Sequence, residues 1–189
     1  MLALTQDIEV QEWMGLFHRA TGLAIRLLPA DLTLSASESC GHEHHFCREA
    51  GVKGSATCAK TRRILRTKLS AKLAPQQVIC GTGMTEVAVP VVVGKRHVGT
   101  FLVGQTFLRK PDAQSWQRLT AAAEDVDDSR LRALRSAYLS GYVIPDDTLN
   151  VLVQMVALHA QRLTRELHPV KPVARRKKSR TAKPAQRKR

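Results

Sequence analysis

The stretch VICGTGMTEVAVPVVVGKRHVGTFLVGQTF, residues 78–107, decides the fold. Within it, TEVAVPVVV and RHVGTFLVGQTF are rich in β-branched residues and flank Gly94-Lys95, a pair that suits a tight hairpin turn with glycine first. The run QQVIC at 76–80 precedes them, so this region predicts three strands. Pro90 has no N–H to donate, which favours an edge position or a bulge for its strand.

The rest of the chain predicts mainly helices. LAIRLLPADLTLSAS at 23–37 predicts two short strands around a Pro-Ala-Asp turn, and the polar segment 38–54 follows as a loop. The spacing of apolar residues predicts helices at 7–22, 56–74, 112–124, 128–140 and 146–167. This order predicts an α+β fold, in which one antiparallel sheet of about five strands is flanked by helices on one face.

The net charge of +14 is unevenly distributed along the chain. Residues 169–189 contain ten Lys or Arg and no acid, whereas residues 1–168 contain 20 bases and 16 acids. The sequence therefore predicts a folded domain at 1–168 and a disordered basic tail at 169–189. The near balance of the domain argues against a broad nucleic-acid surface on it. The tail predicts non-specific binding to nucleic acid, unless it serves only as a solvated tail that aids solubility.

Several sequence patterns that are absent bear on the location of the protein and on catalysis. No apolar run approaches the roughly 18 residues of a membrane span, so we expect no membrane partner. The N-terminal sequence MLALTQDIEVQEW has no basic region before an apolar core, which favours a cytoplasmic protein. No Ser-His-Asp motif, phosphate-binding glycine loop or HExxH motif occurs, so we do not expect an enzyme.

Polar residues in the strand region predict a small-molecule pocket between the sheet and the helix at 55–73. Strand alternation places Phe101, Val103 and Gln105 on one face, and glycines within the strand leave room for a ligand. Gln105 and Glu86, with Met84 beside them, supply the few polar groups that orient a hydroxylated ligand among apolar walls. The alternative is that Gln105 secures a loop and that Glu86 is an exposed residue at a strand start.

The four cysteines form a second candidate site. Their spacing contains no C-x-x-C pair, so it indicates metal binding only weakly. Spatial convergence of Cys47, Cys58 and Cys80 is nevertheless expected, with Cys40 the least constrained. These residues are candidate ligands of zinc or an iron–sulfur cluster, for which the possible substitutes are His42, His44 and His45. The alternative is that the thiols are small buried hydrophobic groups.

The segment 146–167 carries more apolar surface than contact with one sheet requires. We therefore expect it to help form a homodimer. Folding back onto its own domain is the alternative interpretation.

Several motifs, FHRATGLAIRLLPAD, FCREA, SATCAK and CGTGMTEVAVPVVVGKRHVGTFLVGQ, together resemble the PocR sensory domain over roughly residues 7–165. The resemblance implies a PAS- or GAF-related fold that senses small organic molecules such as short diols, in a transcription factor or signalling protein. Two departures stand out. The family's Cys-His-Ala-Gly-Leu motif reads Cys-Gly-Thr-Gly-Met at 80–84, and the basic tail stands where a DNA-binding or signalling module usually follows. The matching positions are Cys47, Cys58, Cys80, Gly83, Glu86, Pro90, Gly99, Gly104 and Gln105.

Overall fold

The computed structural model describes residues 7–33, 43–50, 56–120 and 127–167. Its helices are α1 (Ile8–Thr21), α2 (His45–Glu49), α3 (Ala56–Ala71), α4 (Ala113–Thr120), α5 (Asp128–Leu139) and α6 (Asp146–Leu167). Its strands are β1 (Ala24–Leu28), β2 (Gln76–Ile79), β3 (Thr85–Val93) and β4 (Arg96–Thr106). Within these ranges, every helix is too short or too polar to cross a bilayer.

The four strands form one antiparallel sheet in the order β1-β4-β3-β2. The predicted hairpin between β3 and β4 is present, with Gly94 at a φ of 64° in its turn. The prediction of about five strands is wrong for the described residues. After Pro29, Leu32 takes a φ of 58° and buries its side chain, so the chain does not resume a strand there. The remainder of that predicted strand, 34–37, lies outside the described residues.

One side of the sheet, here called the apolar face, carries Ile25, Leu27, Val87, Val89, Phe101 and Val103. Helices α1 and α6 pack against it. Helix α1 begins where the Asp7 carboxylate accepts bonds from the Glu9 and Val10 amides, and it ends at Gly22 with a φ of 71°. The apolar residues that these helices bury on the sheet include Val10, Met14, Phe17, Leu149, Val153, Val156 and Ala160.

The other side, here called the cavity face, carries Arg26, Leu28, Glu86, Ala88 and Leu102. Helix α3 covers it by packing Leu65 and Leu69 on the apolar members of this set. The expectation of helices on one face is therefore wrong. In β4 the successive residues Phe101 and Leu102 point to opposite faces and both are buried, so both faces require a helical cover.

A third cluster closes one end of the sheet, where α2, α4 and α5 meet. Its ring contacts join Phe46, Phe107, Trp116 and Tyr138, with centroids 5.2–6.4 Å apart. The Tyr138 hydroxyl donates to the carbonyl of Thr82 at 3.0 Å, which fixes the turn between β2 and β3. Helix α2 belongs to a segment that the sequence predicts as loop.

Candidate functional site

A β-bulge positions Gln105. In the register between β3 and β4, Glu86 pairs with Gly104 and Thr85 pairs with Thr106, so Gln105 is the extra residue. Gly104 has a φ of 134°, and a Cβ there would lie 2.4 Å from the carbonyl oxygen of Thr85. Only glycine fits this position. Because the extra residue interrupts strand alternation, Gln105 turns to the cavity face.

A cavity of about 30 Å³ lies between the cavity face and α3. This volume has room for about two water-sized groups. Three of the residues predicted for a ligand pocket, Met84, Glu86 and Gln105, are in its wall. The full wall consists of Arg26, Glu43, Cys47, Thr57, Cys58, Thr61, Arg62, Cys80, Thr82, Met84, Glu86, Leu102 and Gln105.

Phe101 and Val103 do not line this cavity, so the structure contradicts their predicted place in its wall. Both are 0% exposed on the apolar face, where the ring of Phe101 lies 5.8 Å from that of Trp13 and 5.9 Å from that of His159. Alternation alone groups them with Gln105. The bulge separates them from it, because the extra residue shifts the alternation of β4 from that point onward.

Three buried charged groups meet in the cavity. Arg26 Nη2 lies 3.5 Å from Glu86 Oε1, and Arg26 Nη1 lies 3.8 Å from Glu43 Oε1. Burial raises the pKa of Glu86, although the positive charges of Arg26 and Arg62 oppose that rise. The Arg26 Nε–H is buried and has no hydrogen-bond partner among the described residues. The cavity thus holds an incompletely satisfied donor beside two carboxyl groups.

Gln105 connects this charge group to α2. Its Oε1 accepts a bond from the backbone N–H of His44 at 2.7 Å, and its side chain also hydrogen-bonds Glu86. Burial lowers the pKa of His44, which fits a neutral ring whose Nδ1 accepts from the N–H of Phe46 at 3.2 Å and caps α2. Gln105 therefore secures a loop and faces the cavity at the same time.

Sulfur atoms form another part of the wall. Cys47, Cys58 and Cys80 all line the cavity, and Cys47 Sγ lies 3.7 Å from the sulfur of Met84. Burial is the main cause that raises the pKa of Cys47 and of Cys80. Both are therefore thiols near neutral pH.

The other predicted metal ligands are Cys40, His42, His44 and His45. Cys40 and His42 lie outside the described residues. His45 is exposed beside Glu49, and His44 caps α2. In the described part of the chain, no three Cys, His, Asp or Glu residues are arranged to hold a metal ion.

Two residues of the cavity wall, Arg26 and Glu43, were not predicted as site residues. The signal for Arg26 is its position within the apolar run LAIRLL, because an arginine in a buried strand requires a partner or a ligand. Glu43 carries no comparable signal, since it lies in a polar segment where a carboxylate is unremarkable.

An antiparallel sheet between helices, with a small cavity that contains buried charge, defines this chain as an α+β domain. The family described as the sensory domain found in PocR matches residues 4–168. The chain belongs to this family, which confirms the resemblance found in its motifs. No curated protein and no solved structure matches the chain. A sensory domain implies a small ligand as its partner, and it indicates a regulatory role.

Proposed function

We propose that this domain senses a small neutral molecule with hydroxyl groups, bound in the cavity between the sheet and α3. The buried Nε–H of Arg26 carries the proposal. A buried donor without a partner costs about 1–3 kcal/mol. A ligand oxygen that accepts from this N–H recovers that cost, so the cavity favours an occupied state.

The mixture of charges favours a hydroxyl group over an ion. Arg26 opposes a cation, and Glu43 and Glu86 oppose an anion. A hydroxyl group both donates and accepts, so it can accept from Arg26 and donate to a carboxylate. Met84 and Leu102 supply apolar contacts for the carbon atoms. The volume of about 30 Å³ limits the ligand to a few non-hydrogen atoms, as in a short diol.

The test is calorimetry on the full chain with diols of two, three and four carbons. We expect binding that falls as the diol lengthens, because the enclosed space is limited. Glu86→Gln keeps the shape of the side chain but changes its hydrogen bonding, and it should weaken binding by about 1–3 kcal/mol. Glu49→Gln is the matched control, since Glu49 is exposed and outside the cavity. Failure of the folded wild-type chain to bind any of the three diols overturns the proposal.

A second candidate is a cysteine-based sensor that uses zinc, an iron–sulfur cluster or thiol oxidation. The observation that favours it is the presence of Cys47, Cys58 and Cys80 in one wall. All three are free thiols, which fits a reducing compartment such as the cytoplasm. Elemental analysis of freshly purified protein tests it. About one metal per chain, lost in Cys58→Ser, supports coordination, and a metal-free chain that still binds a diol favours the first proposal.

A homodimer through α6 is a further proposal. This helix packs on its own sheet, yet Val151, Met155 and Leu158 on its outer side are 51–65% exposed. This apolar stripe supports contact with a second copy. Light scattering that gives a monomer at high micromolar concentration would overturn it.

For the tail at 169–189, outside the described residues, we propose non-specific binding to nucleic acid. The support is its ten positive charges without an acid. Such a tail would hold the sensory domain near DNA as part of a transcription regulator. Gel shifts at low salt compare the full chain with a 1–168 truncation, and equal binding by both would remove the tail from the mechanism.

A further inference from the structure

The charge of the folded domain is concentrated on one helix. Residues 50–85 contain seven Lys or Arg and no acid, whereas the other residues of 1–168 contain 13 bases and 16 acids. The near balance of the whole domain therefore conceals one strongly positive segment. Helix α3 lies in this segment and carries Lys60, Arg62, Arg63, Arg66 and Lys68.

Three of these bases, Lys60, Arg63 and Arg66, recur every three residues on the exposed side of α3, opposite its buried stripe. We call these three the cationic face. The ion pairs found among the described residues do not involve α3. Hydrogen bonds from Thr33 are the main cause that lowers the pKa of Asp31, and the positive charge of the nearby Arg66 adds a minor contribution. Glu86 is near Arg62, but it lies buried on the cavity face.

We infer that the cationic face binds the phosphate backbone of a duplex nucleic acid. Guanidinium groups bond phosphate oxygens in pairs, and two of the three residues are arginines. Lys60 and Arg66 are separated by about 9 Å along the helix axis at about 1.5 Å per residue. Phosphates recur about every 3.4 Å along the axis of one strand, so three cations at this separation span two to three steps of the duplex.

An anionic lipid surface fits the same charges less well. Helices that lie on membranes turn a broad apolar face towards the lipid. The apolar stripe of α3, Thr61, Leu65 and Leu69, is instead buried against the sheet, and Ile64 is only 37% exposed. The outward side of α3 is therefore cationic without the apolar surface that membrane insertion requires.

The experiment measures binding of the full-length chain to a fluorescent duplex of arbitrary sequence by anisotropy, over a series of salt concentrations. The ten tail bases are replaced by serine, so that the tail keeps its length but not its charge. Lys60→Gln, Arg63→Gln and Arg66→Gln are combined in one variant. The matched control combines Arg130→Gln, Arg132→Gln and Arg135→Gln, which removes three exposed charges from α5.

We expect the α3 variant to lose affinity more than tenfold at low salt. The slope of log affinity against log salt should fall in size by about 2.7, because each of the three phosphate contacts contributes about 0.9. The α5 control should retain the affinity and the slope of its parent. Circular dichroism establishes that both variants are folded.

Three results would overturn the inference. Equal losses in the α3 and α5 variants would show that total charge, not this face, determines binding. No duplex binding by the parent with the neutral tail would show that α3 does not bind phosphates by itself. Tighter binding to phosphatidylserine vesicles than to the duplex, lost in the same α3 variant, would assign the face to lipid.

Discussion

The two faces of the sheet differ in how they treat polar groups. The apolar face buries Val, Leu, Ile and Phe side chains against α1 and α6. The cavity face buries Arg26 and Glu86 beside the small cavity under α3. The same strands supply both, because successive residues point in opposite directions. The difference indicates that one face supplies stability, which permits the other to retain buried charges at a cost to the free energy of folding.

The largest loss of stability is expected from a substitution on the apolar face. Phe101 is fully buried, and its ring contacts the stacked pair of Trp13 and His159, so Phe101→Ala should lower the free energy of unfolding by about 3–5 kcal/mol. Denaturant unfolding measures this change. Val151→Ala is the control, since Val151 is exposed and its truncation should stay within about 0.5 kcal/mol. A loss below about 1 kcal/mol in Phe101→Ala would contradict the division between the faces.

A smaller loss of stability is expected from a substitution at the β-bulge. Gly104→Ala forces a Cβ to within 2.4 Å of the Thr85 carbonyl oxygen, whereas a Cβ at Gly94 has no heavy atom within 4 Å. Gly94 has a φ of 64°, in the left-handed helical region, whereas Gly104 has a φ of 134°, which residues with a Cβ rarely adopt, so both the clash and the backbone conformation make Gly104 the costlier site. Gly104→Ala should cost about 1–3 kcal/mol more in unfolding free energy than Gly94→Ala. It should also weaken diol binding, because Gln105 shifts. Equal costs would show that the bulge tolerates a side chain.

The buried carboxyl group of Glu86 should make the difference in stability between wild type and Glu86→Gln depend on pH. Burial raises the pKa of Glu86 above its ordinary value of 4.5, so the folded chain holds this proton more tightly than the unfolded chain. Its contribution to stability is therefore lost as the pH rises from about 4.5 to the raised pKa. Glu86→Gln should become steadily more stable relative to wild type over that window, by up to about 1.4 kcal/mol per pH unit. A constant difference between the two chains from pH 4 to pH 8 would contradict this cause.

The thiols are expected to affect stability least. Their rate of alkylation instead measures whether reagent and solvent reach the cavity wall. Burial raises the pKa of Cys47 and Cys80, so iodoacetamide at pH 8 should alkylate both far more slowly in the folded chain than in urea. Peptide mass spectrometry at timed intervals measures each rate. Rates in the folded chain equal to those in urea would show that the sulfur wall is open to solvent.

Local patterns predicted the larger elements well. The valine-rich runs and the Gly94-Lys95 pair specified the β3–β4 hairpin, because strand propensity and turn geometry act over a few residues. The helix that stops before Gly22 was likewise predictable from the spacing of its apolar residues and its terminating glycine.

Long-range features were not predictable from those patterns. Period-two alternation grouped Gln105 with Phe101, and only the glycine at 104 hinted at a bulge that would separate them. The partners of Arg26 lie 17 and 60 residues away along the chain, at Glu43 and Glu86. No local period encodes such contacts. The charge of α3 was visible in the sequence, but summing charge over the whole domain concealed it.

The two tryptophans of the chain lie in different clusters of the fold. Trp13 stacks on His159 at 3.8 Å on the apolar face, whereas Trp116 contacts Phe46 and Tyr138 in the third cluster. Phe46 precedes Cys47, a residue of the cavity wall, so we expect binding in the cavity to change the emission of Trp116. Indole emission responds to its immediate surroundings. Trp116 is therefore the indole whose emission should be followed when a ligand is titrated into the protein.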